Sequence, residues 1–119
     1  MRAVLDTSVV LASDLGPLSG ELAISAATVL VTGEPDVRAE RLRRLAVIQR
    51  QFQALPIDDA VAASYGRLAA AVVAAGRRPR ARTMDLLIAA TAHAHEATLY
   101  TRNPADLRGA DELVEVIAV

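Results

Sequence analysis

The chain has 119 residues, 53% of them hydrophobic and only 3% aromatic, which fits one domain (residues 1–119) with a core of Ala, Val, Leu and Ile and excludes a disordered chain. It has no cysteine, which excludes disulfides and thiolate metal sites, and all 13 basic residues are Arg, which excludes a catalytic Lys and with it a P-loop. With a net charge of −1, the chain is less basic than is usual for binding duplex nucleic acid mainly by charge, so any such contact is expected to be local or to run through metal ions.

Asp6 interrupts the apolar start, so no stretch of signal-peptide length develops. No run reaches the roughly 18 apolar residues of a membrane span. A cytoplasmic location without membrane contact is expected.

Ala3-Val4-Leu5 is a short apolar run ending at Asp6 and reads as a buried strand. Thr7 and Ser8 are suited to cap a helix through about Leu15, broken by Gly16-Pro17. Leu22 to Ser25 reads as a second strand. Asp36 to Phe52 is expected to be helical, because Leu42, Leu45, Ile48 and Phe52 recur at spacings of three and four. Arg41, Arg43, Arg44 and Arg50 decorate it; a solvated face and a contact with RNA or an acidic partner are both open readings. Leu55-Pro56-Ile57 is a short extended piece in which Pro56 disfavours a central strand.

Asp58 or Asp59 then caps a helix carrying Val61, Tyr65, Leu68 and Val72 on one face, with Gly76 as its stop. Tyr65 and Phe52 read as core or dimer-contact residues. Arg77 to Arg82 is a basic loop around Pro79. Thr83 caps the next helix, through about Glu96, which is apolar on nearly every side and therefore central. His93 and His95 are two apart, so they point to different sides of that helix and do not read as a shared metal site. Thr98 to Thr101 is another strand, Asn103-Pro104 turns the chain, and Glu115 to Val119 forms a final strand. Strands alternating with helices predict an α/β fold: three layers, α/β/α, around a short, mostly parallel central sheet. In such sheets, sites gather at the carboxyl ends of the strands.

Three acids stand at such places. Asp6 follows the first strand, Asp85 opens the most apolar helix, and Asp106 lies just beyond the strand ending at Thr101. Each alone has an ordinary structural account: a helix cap for Asp6, the helix macrodipole for Asp85, turn chemistry for Asp106. Together, with the first and last of these strands side by side, they form an oxygen-only set suited to Mg2+ or Mn2+. That chemistry hydrolyses phosphodiesters without a covalent intermediate or a lysine. Arg77, Arg78, Arg80 and Arg82 stand just before Asp85, where they read either as a solvated loop or as contacts to RNA phosphates or a partner.

Val4-Leu5-Asp6-Thr7-Ser8-Val9-Val10 resembles the start of PIN-domain proteins. Asp85-Leu86-Leu87-Ile88-Ala89-Ala90-Thr91-Ala92 and Leu99-Tyr100-Thr101-Arg102-Asn103-Pro104-Ala105-Asp106-Leu107 resemble two further blocks of the VapC branch, in the same order and spacing. The resemblance implies a PIN-like fold and Mg2+- or Mn2+-dependent endoribonuclease activity on single-stranded regions of structured RNA. It also implies a VapB-type antitoxin whose tail blocks the acidic pocket, and a homodimer. By position, Asp6, Asp85 and Asp106 match three of the family's four acids, with Asp6 and Asp85 as metal ligands. Ser8, Thr101 and Asn103 match its supporting polar positions. The chain departs from the pattern after Thr28. There the family carries its fourth acid, a Glu, but Ser25-Ala26-Ala27-Thr28 runs straight into Val29-Leu30-Val31-Thr32-Gly33. About two helical turns are missing. Glu21, Glu34 and Glu40 are the nearest other acids. Without the Glu, a second reading stands open: a catalytically degenerate PIN-fold binding protein. A phosphoacceptor receiver domain and an aspartate-nucleophile phosphatase fit less well, since Asp6 is followed by Thr7 and Ser8 rather than by a second acid.

Overall fold

The computed structural model of the chain describes residues 2–10, 12, 14, 16–29, 39, 43 and 52–119. Five short strands, β1 (Arg2–Leu5), β2 (Glu21–Ser25), β3 (Gln53–Leu55), β4 (Thr98–Thr101) and β5 (Val116–Ala118), form one sheet in the order β3-β2-β1-β4-β5. All four pairings are parallel. The chain therefore builds outward from β1 on one side, then returns to build outward on the other. The crevice between β1 and β4 is the topological switch point, where open α/β sheets place their sites.

Period-two alternation sorts the strand residues onto two faces. Val4, Ala23 and Leu99 join one core with Leu55, Ala27 of α2 (Ala26–Val29) and the helices α3 (Asp59–Ala74) and α4 (Thr83–Ala94). Ala3, Leu5, Ile24 and Tyr100 join a second core with Val9 and Val10 of α1 (Thr7–Val10), flanked by Leu18, Phe52 and Ile117. Strand β1 is apolar toward both, and Ala3 and Val4 are fully buried, as a central parallel strand requires. The Tyr100 hydroxyl donates to the Ser19 carbonyl at 2.8 Å, pinning the 16–20 segment along the second face.

Asp58 caps α3, its carboxylate accepting from the Val61 amide at 3.0 Å. Val61, Ser64, Leu68 and Val72 form the buried stripe, Tyr65 packs at its edge, and Gly76 with φ 79° takes the chain out. Helix α4 buries Leu86, Ile88, Ala89, Ala90, Thr91 and Ala92, on almost every side, because it lies between α3 and the sheet.

Several expected boundaries move. Helix α1 ends at Val10 rather than near Leu15. Thr83 does not cap α4: it already has helical backbone angles, being led in by a 3₁₀ turn at Pro79–Arg82, and its hydroxyl donates to the Arg80 carbonyl at 3.3 Å. A cap needs extended angles, which Thr83 lacks. Of the expected Asp36 to Phe52 helix, Ala39 and Arg43 are helical and Phe52 lies in a bend; Leu42, Leu45, Ile48, Arg41, Arg44 and Arg50 lie outside the described residues. Strand β3 stops at the residue before Pro56 and is an edge strand. Among the described residues no helix is long and apolar enough to cross a membrane.

Candidate functional site

Asp6 directly follows β1, and its amide extends the β1–β4 ladder by donating to the Tyr100 carbonyl at 2.9 Å. That register sets Asp6 beside Thr101, the last residue of β4. Two parallel relays then hold the carboxylate. The Asn103 amide donates to Thr101 Oγ1 (3.0 Å), which donates to Asp6 Oδ2 (2.8 Å). The Arg102 amide donates to Ser8 Oγ (3.2 Å), which donates to the same Oδ2 (2.9 Å). The direction is unambiguous, because an ionised carboxylate only accepts and an amide only donates. Both hydroxyls converge on Oδ2, which leaves Oδ1 with no hydrogen bond among the described residues. The side chain is thus not spent as a helix cap. The main-chain carbonyl of Asp6 accepts the first bonds of the helix, from the Val9 and Val10 amides. Of the supporting positions, Ser8 and Thr101 act through their hydroxyls; Asn103 acts through its backbone and is exposed.

Asp85 sits in the first turn of α4, half-buried. Burial pushes its carboxyl above the ordinary value of 3.8. The negative charges of Asp6 and Asp106 push the same way, and Arg82 opposes them. Asp6 and Asp106, from two other stretches of the chain, are therefore both within electrostatic reach of Asp85. Asp106 lies in a 3₁₀ turn, Pro104–Leu107. Arg77 fastens that turn, its Nη1 donating to the Ala105 and Arg108 carbonyls at 2.9 and 3.3 Å. Arg82 reaches both outer acids, 3.2 Å to Asp106 Oδ1 and 3.9 Å to Asp85 Oδ2. Arg78 and Arg80 are exposed.

Two features of the site went unread in the sequence. Ser25, at the end of β2, and Thr91, in α4, share a buried 2.8 Å hydrogen bond. The Ala27 amide donates to Ser25 Oγ and Thr91 Oγ1 donates to the Leu87 carbonyl, so the proton between the two hydroxyls belongs to Ser25. This chain of bonds sets α4, and hence Asp85, against the sheet. The cue was a hydroxyl inside an otherwise apolar helix, since a buried hydroxyl has a partner. The second feature is Arg102, which grips Asp14 through Nη2 at 2.6 Å and Nη1 at 3.4 Å and holds the Asp14 carboxyl below its ordinary range.

Among the described residues, no three acidic or histidine side chains form a ready-made metal shell. The donor set nonetheless suits a hard divalent ion. Magnesium commonly takes one or two carboxylates and completes its shell with waters and phosphate oxygens. Asp6 Oδ1 is uncommitted among the described residues, and a cation would offset both the burial and the repulsion from Asp6 and Asp106 that raise Asp85. Glu21 opens β2 at the far end of the sheet, so it does not join these acids; Glu34 and Glu40 lie outside the described residues. The two histidines face different partners: His93 Nδ1 is 2.8 Å from Ser64 Oγ and His95 Nδ1 is 3.2 Å from Arg2. A cleft of about 510 Å³ beside Ser64, Arg67, His93 and Glu96 contains none of the three acids.

A five-stranded parallel sheet covered by helices, with acids at its switch point, defines an α/β domain of the kind that carries its site at the strand ends. Residues 18–112 match the PIN domain, and the chain belongs to the PIN-domain family. It is 35% identical to Ribonuclease VapC5 of Mycobacterium tuberculosis (strain ATCC 25618 / H37Rv), over 98% of this chain and 94% of that protein. That alignment runs over 131 positions against 119 residues here, so at least a dozen positions of the relative have no counterpart. Among solved structures, VapBC-5, a member of the VapBC family of toxin–antitoxin systems from Mycobacterium tuberculosis, superposes with a TM-score of 0.75 at 31% identity, covering 99% of this chain and 97% of that one. FitAcB from Neisseria gonorrhoeae superposes at 0.69 with 26% identity, covering 97% and 96%.

Proposed function

We propose that this chain is an endoribonuclease, the toxin half of a VapBC-type toxin–antitoxin pair, working in the cytoplasm as a single PIN-like domain with Mg2+ or Mn2+ at Asp6 and Asp85. The observation that carries this reading is the position of Asp6 at the β1–β4 switch point, with Asp85 raised by burial first and then by the charges of Asp6 and Asp106. The likeness to Ribonuclease VapC5 and to VapBC-5 supports the RNA substrate and the antitoxin partner.

When bound, the ion supplies Lewis acidity toward the phosphodiester and lowers the pKa of water in its shell. The protein's own part is positioning. Ser8 and Thr101 fix Asp6 Oδ2, so that Oδ1 presents in one direction. Burial of Asp85 and the third charge at Asp106 make the site hold a cation in preference to standing empty of charge compensation. Arg78 and Arg80, exposed beside α4, meet RNA phosphates or the acidic groups of an antitoxin.

The second reading, a PIN-fold binder without catalysis, draws on one observation: the family's Glu-bearing stretch has no counterpart after Thr28. RNA cleavage with Mn2+ separates the two. The parent is expected to cleave, and Asp6→Asn and Asp85→Asn to fall by about 100-fold or more. Equal activity in all three preparations removes the metal site, and no cleavage by the parent, folded and loaded, selects the binder.

A further inference from the structure

Among the described residues, Arg82 is the cation that spans two members of the acidic centre. Its position follows from local chain geometry. The 3₁₀ turn Pro79–Arg82 delivers it to the start of α4, three residues before Asp85, while Arg77 holds the Asp106 turn within its reach. The two ion pairs are unequal, tight to Asp106 at 3.2 Å and loose to Asp85 at 3.9 Å, and the Arg82 side chain is 42% exposed. Such half-exposed pairs are weak and screened by salt. A doubly charged ion attracts the same carboxylates more strongly than a delocalised guanidinium does.

We infer that Arg82 is a built-in counter-cation of the acidic centre, which competes with the divalent ion for Asp85 and Asp106 and is displaced when that ion binds. The inference rests on the proposed metal-dependent reading of the site. Without Arg82 the three carboxylates would repel one another unrelieved; with it the ion-free protein is tolerable but the ion must expel a resident charge. Once expelled, the guanidinium stands beside exposed Arg78 and Arg80, in a position to take a phosphate. Arg82 is thus a positioning residue that ties metal loading to substrate capture.

The test is Mn2+ binding, followed by the loss of the free-ion paramagnetic resonance signal, at low ionic strength and without RNA. Parent, Arg82→Gln, Arg82→Lys and Asp85→Asn are compared. Arg82→Gln is expected to bind Mn2+ about tenfold more tightly than the parent, within the roughly two- to thirtyfold range that two half-exposed ion pairs carry. Arg82→Lys keeps a charge but lacks the fork that spans two acids, and should fall between. The gain should shrink as salt is added. Equal or weaker binding by Arg82→Gln, with Asp85→Asn still defective, overturns the inference and leaves the metal site standing. If Arg82→Gln does not fold, Arg82→Lys decides the question by the same comparison. Asp85→Asn binding as well as the parent overturns the metal reading and the inference with it.

Discussion

Thr101→Val is the sharpest probe of how the centre is held. The substitution keeps the branched shape of a side chain only 1% exposed but deletes the oxygen that donates to Asp6 and accepts from the Asn103 amide. A hydrogen bond to a charged group contributes about 1.5–3 kcal/mol, and a stranded amide adds about 1 kcal/mol when only partly buried. Ser8 still serves Asp6 Oδ2, so the carboxylate is not left bare. The expected loss is therefore about 2–4 kcal/mol, a large share of the roughly 5–15 kcal/mol that holds a domain of this size. Urea melts should show a lower midpoint with an unchanged slope, and Tm should fall on the order of 10 °C. Thr101→Ser, which loses only a methyl group, should recover all but about 1 kcal/mol. In an Asp6→Asn background the bond is no longer charge-assisted, so Thr101→Val should cost about 1 kcal/mol less there. A loss below about 0.5 kcal/mol, or the same loss in both backgrounds, refutes the claim that this hydroxyl is aimed at an ionised carboxylate.

The raised Asp85 carboxyl makes a signed pH prediction. The folded state keeps that proton longer than the unfolded chain, so metal-free stability falls as pH rises from the ordinary value of 3.8 through the raised one, and stays lowered above it. Without metal, Asp85→Asn should accordingly melt above the parent at neutral pH, with the gap closing below the ordinary value; a parent that melts higher at neutral pH contradicts this. Gly109 has φ +97°, and a Cβ there would stand 3.1 Å from both Ala75 Cβ and Val72 Cα, so Gly109→Ala should cost about 2–4 kcal/mol in a denaturant melt. A cost under about 1 kcal/mol would show that the turn after Asp106 does not lie tightly on α3.

Asp6 was legible because a strand too short and too apolar to be anything else ends on it, and Asp85 because a charge opening an all-apolar helix is conspicuous. The architecture followed from the alternation of such strands with helices. What the residues could not disclose was adjacency. The Thr101 and Ser8 relays exist only because β4 lies beside β1 with Leu5 opposite Tyr100, and strand order is a property of the whole chain. The basic loop before Asp85 looked uniform, yet Arg77 ties down a turn, Arg82 pairs with two acids, and Arg78 and Arg80 are exposed. Identical side chains were separated by main-chain geometry that composition does not encode. Thr83 misled for a related reason. Its residue type suits a cap, but the turn set by Pro79 had already placed it inside the helical path.

The relay from Thr101 to Asp6 joins residues 95 positions apart, and β1 pairs with β4 across the same long separation. During synthesis the first acid leaves the ribosome long before the strand that orients it, and long-range parallel pairing is slow to form. A partly made chain thus carries Asp6 but no assembled centre. An enzyme that attacks RNA would in this way be harmless to the message and the machinery producing it until β4 has emerged and docked beside β1, leaving time for a partner to be at hand.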